Sequence, residues 1–381
     1  MPETTTHAQM HNLPYPYRSE NGWAAPKRIE FADDTMTADV AYRLASEGIG
    51  LLWTGDFQNA RQLLQALGRR IAKRRVKYAD LTYPERFHKV RLAKSQRART
   101  LGMLLLAIEP GHQLKQRRAP DVEQACQAAY GEASSGYVVP MTELLGVISA
   151  YEWRKKGVEV PALGATIHPH FGVFAPTRSE YLDLIARTPL PATDMAFDIG
   201  TGTGVLAALL VKKGMKKVIA TDINPSALAC ANDNIARLGM SKQVQIKEMD
   251  LFPFGQADLL ICNPPWLPGR PSSPLELAIY DQDQKMLTNF LSGASSHLKP
   301  EGQVWLIMSD LAEHLKLRTR AELLEKIEQA GLIVLEKHDT RPVHPKSLDP
   351  EDPLADARRV EVTSLWRLGV APSREASTHA G

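Results

Sequence analysis

A doubly wound, mostly parallel α/β sheet of seven strands, preceded by a mainly helical N-terminal domain, is the fold that this chain predicts. Three observations carry that reading. From about residue 195, short apolar runs alternate with helical patterns, the rhythm of parallel strands with helices on both faces. The last two strand patterns, "GLIVLEKHDTRP" and "RRVEVTSLWRL", have only a loop between them, so they pair antiparallel and finish the sheet. Residues 37–165 instead carry helix caps and a 3.6-residue apolar period.

In chain order, residues 1–36 lack periodicity and read as a mobile tail. "TADVAYRLASEG" starts at a capping Thr37 and stops at Gly48. "DFQNARQLLQALGRRIAKRR" is capped by Asp56 and aligns Leu63, Leu64, Leu67 and Ile71 on one face. "TYPERFHKVRLAKSQRARTLGMLLLAIEPG" reads as one long helix ending at Pro110-Gly111, and "PMTELLGVISAYEWRKKG" as another closed by Gly157. Strands follow at "MAFDIG" (195–200), "KVIATDI" (217–223), "VQIKEMD" (244–250), "DLLICN" (258–263) and "QVWLIMSD" (303–310). The sheet domain spans 166–370 and a short tail 371–381.

Composition narrows the classes. The 381 residues are 44% hydrophobic and 23% charged, which suits two soluble domains at about 100–200 residues each. The longest apolar run, "LGMLLLAI", falls far short of the ~18 residues of a membrane span, and the polar N-terminus has no secretory signature. Cys126, Cys230 and Cys262 are scattered and odd in number, without zinc or disulfide spacing. A cytoplasmic location is the expectation. The net charge of +3 hides an asymmetry, since residues 66–120 hold fifteen Lys and Arg against Asp80, Glu85 and Glu109. Such a block is an electrostatic handle for an acidic partner such as nucleic acid, or a solvated helix face.

Ligands of open α/β sheets bind beyond the carboxyl ends of the strands, and the informative residues fall there. In "FDIGTGTGVLAALL", Gly200, Gly202 and Gly204 alternate between a strand and a helix. They allow a sharp turn and close backbone approach to a ligand. The spacing differs from the G-x-G-x-x-G of dinucleotide enzymes, which disfavours a dinucleotide oxidoreductase. Asp198 ends the first strand, where it would accept from an ammonium group or cap the turn. Asp222 ends the second, placed for two ribose hydroxyls, with Asn224 and Ser226 left to cap the next helix. Asp250 and Leu251 end the third, offering a polar edge and an apolar wall to an adenine. The fourth runs into Asn263-Pro264-Pro265-Trp266. The Asn263 side-chain oxygen and the carbonyls beside the prolines form a rigid acceptor pair for the two N–H groups of a planar nitrogen. Holding that nitrogen with its lone pair aimed at an electrophile is the kind of positioning that lowers a barrier. Trp266 is placed to stack on the planar group.

These motifs resemble the class I S-adenosylmethionine (SAM)-dependent methyltransferases. "DIGTGTG" is similar to their first motif, Asp222 to their acidic ribose position, and "NPPW" to the Asn-Pro-Pro-aromatic motif of the amino-nitrogen enzymes. "HFGVFAPTRSEYLDLI" (170–185) resembles the entry segment of the release-factor glutamine methyltransferases and their small-domain relatives. The resemblance covers about residues 165–370. It implies SAM as cofactor, with Asp198, Gly200, Gly202, Gly204, Asp222, Asp250, Leu251 and Asn263 around it. It further implies Asn263, Pro264, Pro265 and Trp266 as the catalytic set, no metal, and a macromolecular substrate, either a protein glutamine or RNA. The chain departs in having Trp266 where Tyr or Phe is usual, and Pro176-Thr177-Arg178-Ser179-Glu180 where the glutamine enzymes carry Pro-Arg-Pro-Glu. The same aromatic motif occurs in enzymes acting on adenine or guanine amino groups, which extract a paired base. A SAM-fold interaction protein without catalysis is the alternative of another class.

Other features rank lower. His168 and His170 lack further ligands at metal-site spacing and are candidates for lining the acceptor pocket. Glu276 and Asp281 are candidates for facing the acceptor, and the loop 340–362 for covering the site.

Overall fold

Four short strands, absent from the sequence expectation, organise the N-terminal part of the computed structural model. The structure describes residues 13–73, 77–78, 80–177, 180–342, 349 and 352–372. The chain divides into two units, Met1–Leu81 with His88–Glu152 and Thr82–Phe87 with Trp153–Gly381.

The N-terminal elements are β1 (Arg28–Ala32), α1 (Ala38–Ser46), β2 (Ile49–Trp53), α2 (Phe57–Lys73), α3 (Tyr83–Leu101), β3 (Leu104–Ile108), α4 (Glu123–Tyr130), β4 (Tyr137–Pro140) and α5 (Met141–Lys156). The strands form a sheet in the order β1-β2-β3-β4, parallel except for β4. The expectation of a mainly helical domain is therefore corrected to α/β. Strands of five residues or fewer are too short for alternation to declare them, and "LLLAI" merges into the helical pattern before it. Gly102 is where the chain changes course: a Cβ there would stand 3.1 Å from the Ala98 carbonyl and 3.2 Å from the Trp23 ring. Leu104, Leu105, Leu106 and Ile108 are all fully buried, as an interior strand covered on both faces requires.

The mobile-tail expectation is also corrected over the described residues 13–36. Leu13, Tyr15 and Tyr17 pack on Leu52, Leu105 and Val138, and β1 pairs with β2 from Arg28↔Ile49 to Ala32↔Trp53. The first twelve residues lie outside the described residues. The helix signals held where caps were legible: the Thr37 hydroxyl accepts from the Val40 N–H, and α5 stops before Gly157, whose φ is 74°.

The second unit contains β5 (Val158–Val160), β6 (Ala165–Ile167), α6 (Glu180–Arg187), β7 (Met195–Ile199), α7 (Val205–Lys212), β8 (Lys217–Asp222), α8 (Pro225–Arg237), β9 (Val244–Glu248) and β10 (Ala257–Cys262). After these come β11 (Leu267–Pro268), β12 (Tyr280–Asp281), α9 (Lys285–Ala294), β13 (Leu298–Ser309), α10 (Leu311–His314), α11 (Arg320–Gln329), β14 (Leu332–Thr340), α12 (Ala355–Arg359) and β15 (Thr363–Val370). Seven strands run in the order β14-β15-β13-β10-β7-β8-β9, with β15 antiparallel to both β13 and β14. This is the doubly wound sheet with the antiparallel finish that the sequence predicts. Chain order reverses between β7 and β10, the switch point at which such sheets bind ligands.

Side chains alternate across the sheet. Leu259 and Ile261 face α6 and α7 in one core with Trp305 and Ile307. Leu260 and Cys262 face α9 and α11 in the other with Phe290 and Leu306. α7, "VLAALLVK", is apolar all round and buried over Val205–Leu210, which is what a helix pressed into a core needs. Of the loop 340–362, residues 343–348, 350 and 351 lie outside the described residues; its end forms α12, tied by Arg358 to Asp352 at 2.7 Å.

Leu105→Ala tests the corrected strand. A fully buried leucine in β3 should cost about 2–5 kcal/mol of unfolding free energy in a urea titration, whereas a leucine on a half-exposed helix would cost far less.

Candidate active site at the carboxyl ends of the strands

The glycine turn leaves β7 with Gly200, Gly202 and Gly204 at φ of 73°, 56° and 81°, all in the left-handed region that glycine tolerates. The N–H groups of Gly200 and Thr201 both donate to the Thr221 carbonyl at 2.9 Å, tethering the turn to the end of β8. At Gly204 conformation and space coincide: a Cβ would lie 3.3 Å from Ala231 Cα, so only glycine lets α7 begin this close to α8.

Asp198 is wholly buried at the end of β7. Its Oδ2 accepts from the Thr201 hydroxyl at 2.7 Å and the Ala207 N–H at 3.1 Å. Oδ1, equally buried, accepts from nothing among the described residues. Burial pushes the carboxyl up to about 7, against the pull of the Thr201 and Ala207 hydrogen bonds, and the Asp222 charge raises it further. A buried acceptor without a donor costs about 1–3 kcal/mol, which a cationic or N–H group from a ligand would recover.

Asp222 clips the turn from the other side. Its Oδ2 accepts from Gly202 N–H at 3.0 Å and its Oδ1 from Asn224 N–H at 2.9 Å. Asn224 caps α8 by accepting from Ser226 N–H at 3.0 Å, as its position in the sequence suggested. Each Asp222 oxygen keeps capacity for a second donor. After β9, Asp250 is exposed, and Leu251 adopts φ 68°, a strained conformation for leucine. Its carbonyl takes the Thr221 hydroxyl, and its side chain packs on the core around Phe197 and Phe290.

Asn263 follows β10, and Pro264 behind it is buried. The Trp266 indole does not hang free. Its Nε1–H donates to Asn263 Oδ1 at 3.0 Å and to the Ile307 carbonyl at 3.2 Å, and the half-buried ring packs against both cores. The buried Tyr181 phenol also meets the Asn263 side chain; burial raises its pKa and Asn263 opposes that rise.

The remaining candidates are engaged elsewhere. Asp281 caps α9 by accepting from Met286 and Leu287 N–H at 3.1 Å. Glu276 accepts from the Ser272 N–H and hydroxyl. His168 Nδ1 lies 2.6 Å from the Arg154 carbonyl, and His170 Nε2 3.2 Å from Asp233. Among the described residues no three His, Cys, Asp or Glu side chains gather as for a metal ion. Arg178 and Ser179 lie outside the described residues, while Glu180 opens α6 as a buried carboxylate. Sequence reasoning missed Thr201, Thr221, Tyr181 and Asn234. Asn234 bridges the His168 N–H at 2.8 Å and the Thr203 carbonyl at 3.0 Å, and no local pattern announces such a link.

Residues 164–335 match the family model described as the methyltransferase small domain. The chain is 29% identical over 162 residues to a protein of Methanocaldococcus jannaschii named as a protein N5-glutamine methyltransferase, covering 40% of this chain and 80% of that one. It is 31% identical over 123 residues to the release factor glutamine methyltransferase of Cereibacter sphaeroides, covering 29% of this chain and 44% of that one. It is 29% identical over 145 residues to the tRNA1(Val) (adenine(37)-N6)-methyltransferase of Bacteroides thetaiotaomicron, covering 36% of this chain and 61% of that one.

The raised Asp198 pKa has a defined stability signature. Below the unfolded carboxyl pKa both states are protonated, and as pH rises toward 7 the unfolded chain loses its proton first, so this group costs stability progressively. The stability of Asp198→Asn relative to wild type should therefore climb from pH 4 to pH 8, by on the order of 2–4 kcal/mol. A difference in urea midpoints that stays flat with pH would contradict the buried, ionisable Asp198.

Proposed function

We propose that this chain methylates a planar amide or exocyclic amino nitrogen of a macromolecule, working through the site at the β7–β10 switch point. Residues 164–335 match the methyltransferase small domain, and the question left to the site is what it methylates. The observation that carries the reading is the Asn263 amide, held at the tip of β10 ahead of a buried proline, on the strand next to Asp198, whose buried Oδ1 accepts from nothing among the described residues.

The residues fit SAM. Asp198 Oδ1 would take its cationic aminoacyl end, the glycine turn would let it approach the backbone, and the spare acceptor capacity of Asp222 suits the ribose hydroxyls. Asp250 and Leu251 would meet the adenine by its edge and face. Bound there, SAM supplies a methyl group already activated on a sulfonium.

The chain's own contribution is orientation. An amide or base amino nitrogen is planar, its lone pair spread into the neighbouring π system. Its two N–H groups would donate to the free lone pair of Asn263 Oδ1 and to the Pro264 carbonyl, and holding both fixes the nitrogen's face toward the methyl donor. Pro264 and Pro265 stiffen the segment that carries the acceptors. No side-chain base has to act, because the proton becomes acidic once the nitrogen is alkylated and passes to solvent.

Glutamine and adenine amino groups both meet this description, and relatives named for each are similar to the chain. The RNA version draws support from α3. Residues 86–108 contain six Lys and Arg and no acid, and Lys89, Lys94, Arg97 and Arg99 are exposed. Part of the basic block is structural, with Arg117 and Arg118 on the buried Asp56 and Arg70 on Asp39. Lys94 and Arg99, exposed on α3, are placed to meet a polyanion.

Transfer of labelled methyl from SAM into separated protein, RNA and DNA fractions identifies the acceptor. Asn263→Ala should abolish that transfer while leaving SAM affinity by calorimetry within about twofold; normal turnover in the variant would falsify the role given to Asn263. For RNA, Lys94→Glu with Arg99→Glu should weaken binding at low salt and flatten the salt slope by about one unit per lost phosphate contact. A protein acceptor predicts little change.

A further inference from the structure

An asparagine serves a nitrogen substrate only if its oxygen faces that substrate. Rotating the amide by half a turn replaces the acceptor with an NH2 group and sets donor against donor, with almost no change in shape. Something must fix the rotation before the substrate arrives.

The surroundings of Asn263 supply it. An indole N–H donates and never accepts, so Trp266 Nε1–H, 3.0 Å from Oδ1, matches only one of the two amide orientations. Its own position is set independently, by the second bond to the Ile307 carbonyl on β13 at 3.2 Å and by the packing of the ring against both cores. Flipping Asn263 would set the NH2 against this N–H and leave it the longer bond to Ile307 alone. Phenylalanine here has no donor, and the hydroxyl of tyrosine lies at the far end of its ring.

We propose that Trp266 is a positioning residue, whose indole N–H locks the Asn263 amide with its oxygen toward the acceptor nitrogen. The proposal rests on the methyl-transfer reading above. It replaces the stacking role expected of Trp266 with support from behind: the ring is a strut between two cores, and its polar edge is the working part.

The test removes the N–H and nothing else. Benzothienylalanine incorporated at position 266 keeps the bicyclic ring and puts sulfur in place of N–H. In the labelled-methyl assay, with the fraction that wild type labels as substrate, kcat should fall between about tenfold and a hundredfold, with SAM affinity and melting temperature close to wild type. On the Asn263→Ala background the same replacement should add no further loss, since both changes remove one device. A second readout needs no substrate. Among the six tryptophans, the 15N indole signal of Trp266, assigned by its absence in Trp266→Phe, should shift in Asn263→Ala and exchange slowly with solvent in wild type. Wild-type kcat in the benzothienyl variant, or an indole signal unmoved by Asn263→Ala, overturns the proposal while leaving methyl transfer intact. A wild-type chain that neither binds SAM nor labels any fraction overturns the underlying reading, and this proposal with it.

Discussion

The register of β7 against its two neighbours is the constraint from which the site follows. Ile199 pairs with Thr221 on β8 and with Cys262 on β10, so all three parallel strands end at one level. The residues that come next are Gly200, Asp222 and Asn263, one for each strand. A parallel ladder holds this alignment through evenly spaced hydrogen bonds along its whole length, and a slip of one residue would send every side chain to the opposite face. The buried residues on both faces, from Ala196 and Ile261 to Phe197 and Leu260, make such a slip prohibitive. Core packing therefore sets the distance between the glycine turn and the Asn-Pro-Pro loop.

On this level platform the loops are held by the ends of strands rather than by one another's side chains alone. Thr221 shows it best. Its carbonyl receives the glycine turn and its hydroxyl holds the Leu251 carbonyl, so one residue of β8 ties the loops after β7 and β9. Two local costs are carried at these strand ends. Asp198 keeps a buried oxygen without a donor among the described residues, and Leu251 sits in a backbone conformation that leucine avoids. Rigid surroundings sustain such costs at sites where a ligand relieves them.

How far this was legible from residues alone differs by element. The seven-stranded sheet could be read because its strands are spaced by helices with clear starts and stops, and because its last pair has no room for a crossover. The N-terminal sheet could not: β1 to β4 carry four or five residues each, and "LLLAI" continues a helical period until Gly102 breaks it. The positions of the glycine turn, Asp222 and Asn263 were legible because each lies in a contiguous stretch at a strand end. Tyr181 and Asn234 were not, since their contacts join segments far apart in the chain. Asp281 has a role that sequence did not announce: its carboxylate accepts from two N–H groups at the start of α9, a common use of a buried acid at a helix start.

Trp266 joins the Asn-Pro-Pro loop to β13. In sequence it is a large flat residue beside a proposed planar substrate, and stacking is the natural inference. The folded chain adds β13, which lies beside β10 and brings the Ile307 carbonyl within reach of the indole. Once the N–H is shared between Ile307 and Asn263, the ring can neither slide over a bound group nor turn without surrendering a buried hydrogen bond. An amide that selects a nitrogen by accepting its protons needs a neighbour that accepts nothing. Phenylalanine has no such donor and a tyrosine hydroxyl can accept as well as donate, whereas the indole N–H only donates, and it lies 3.0 Å from the Asn263 oxygen.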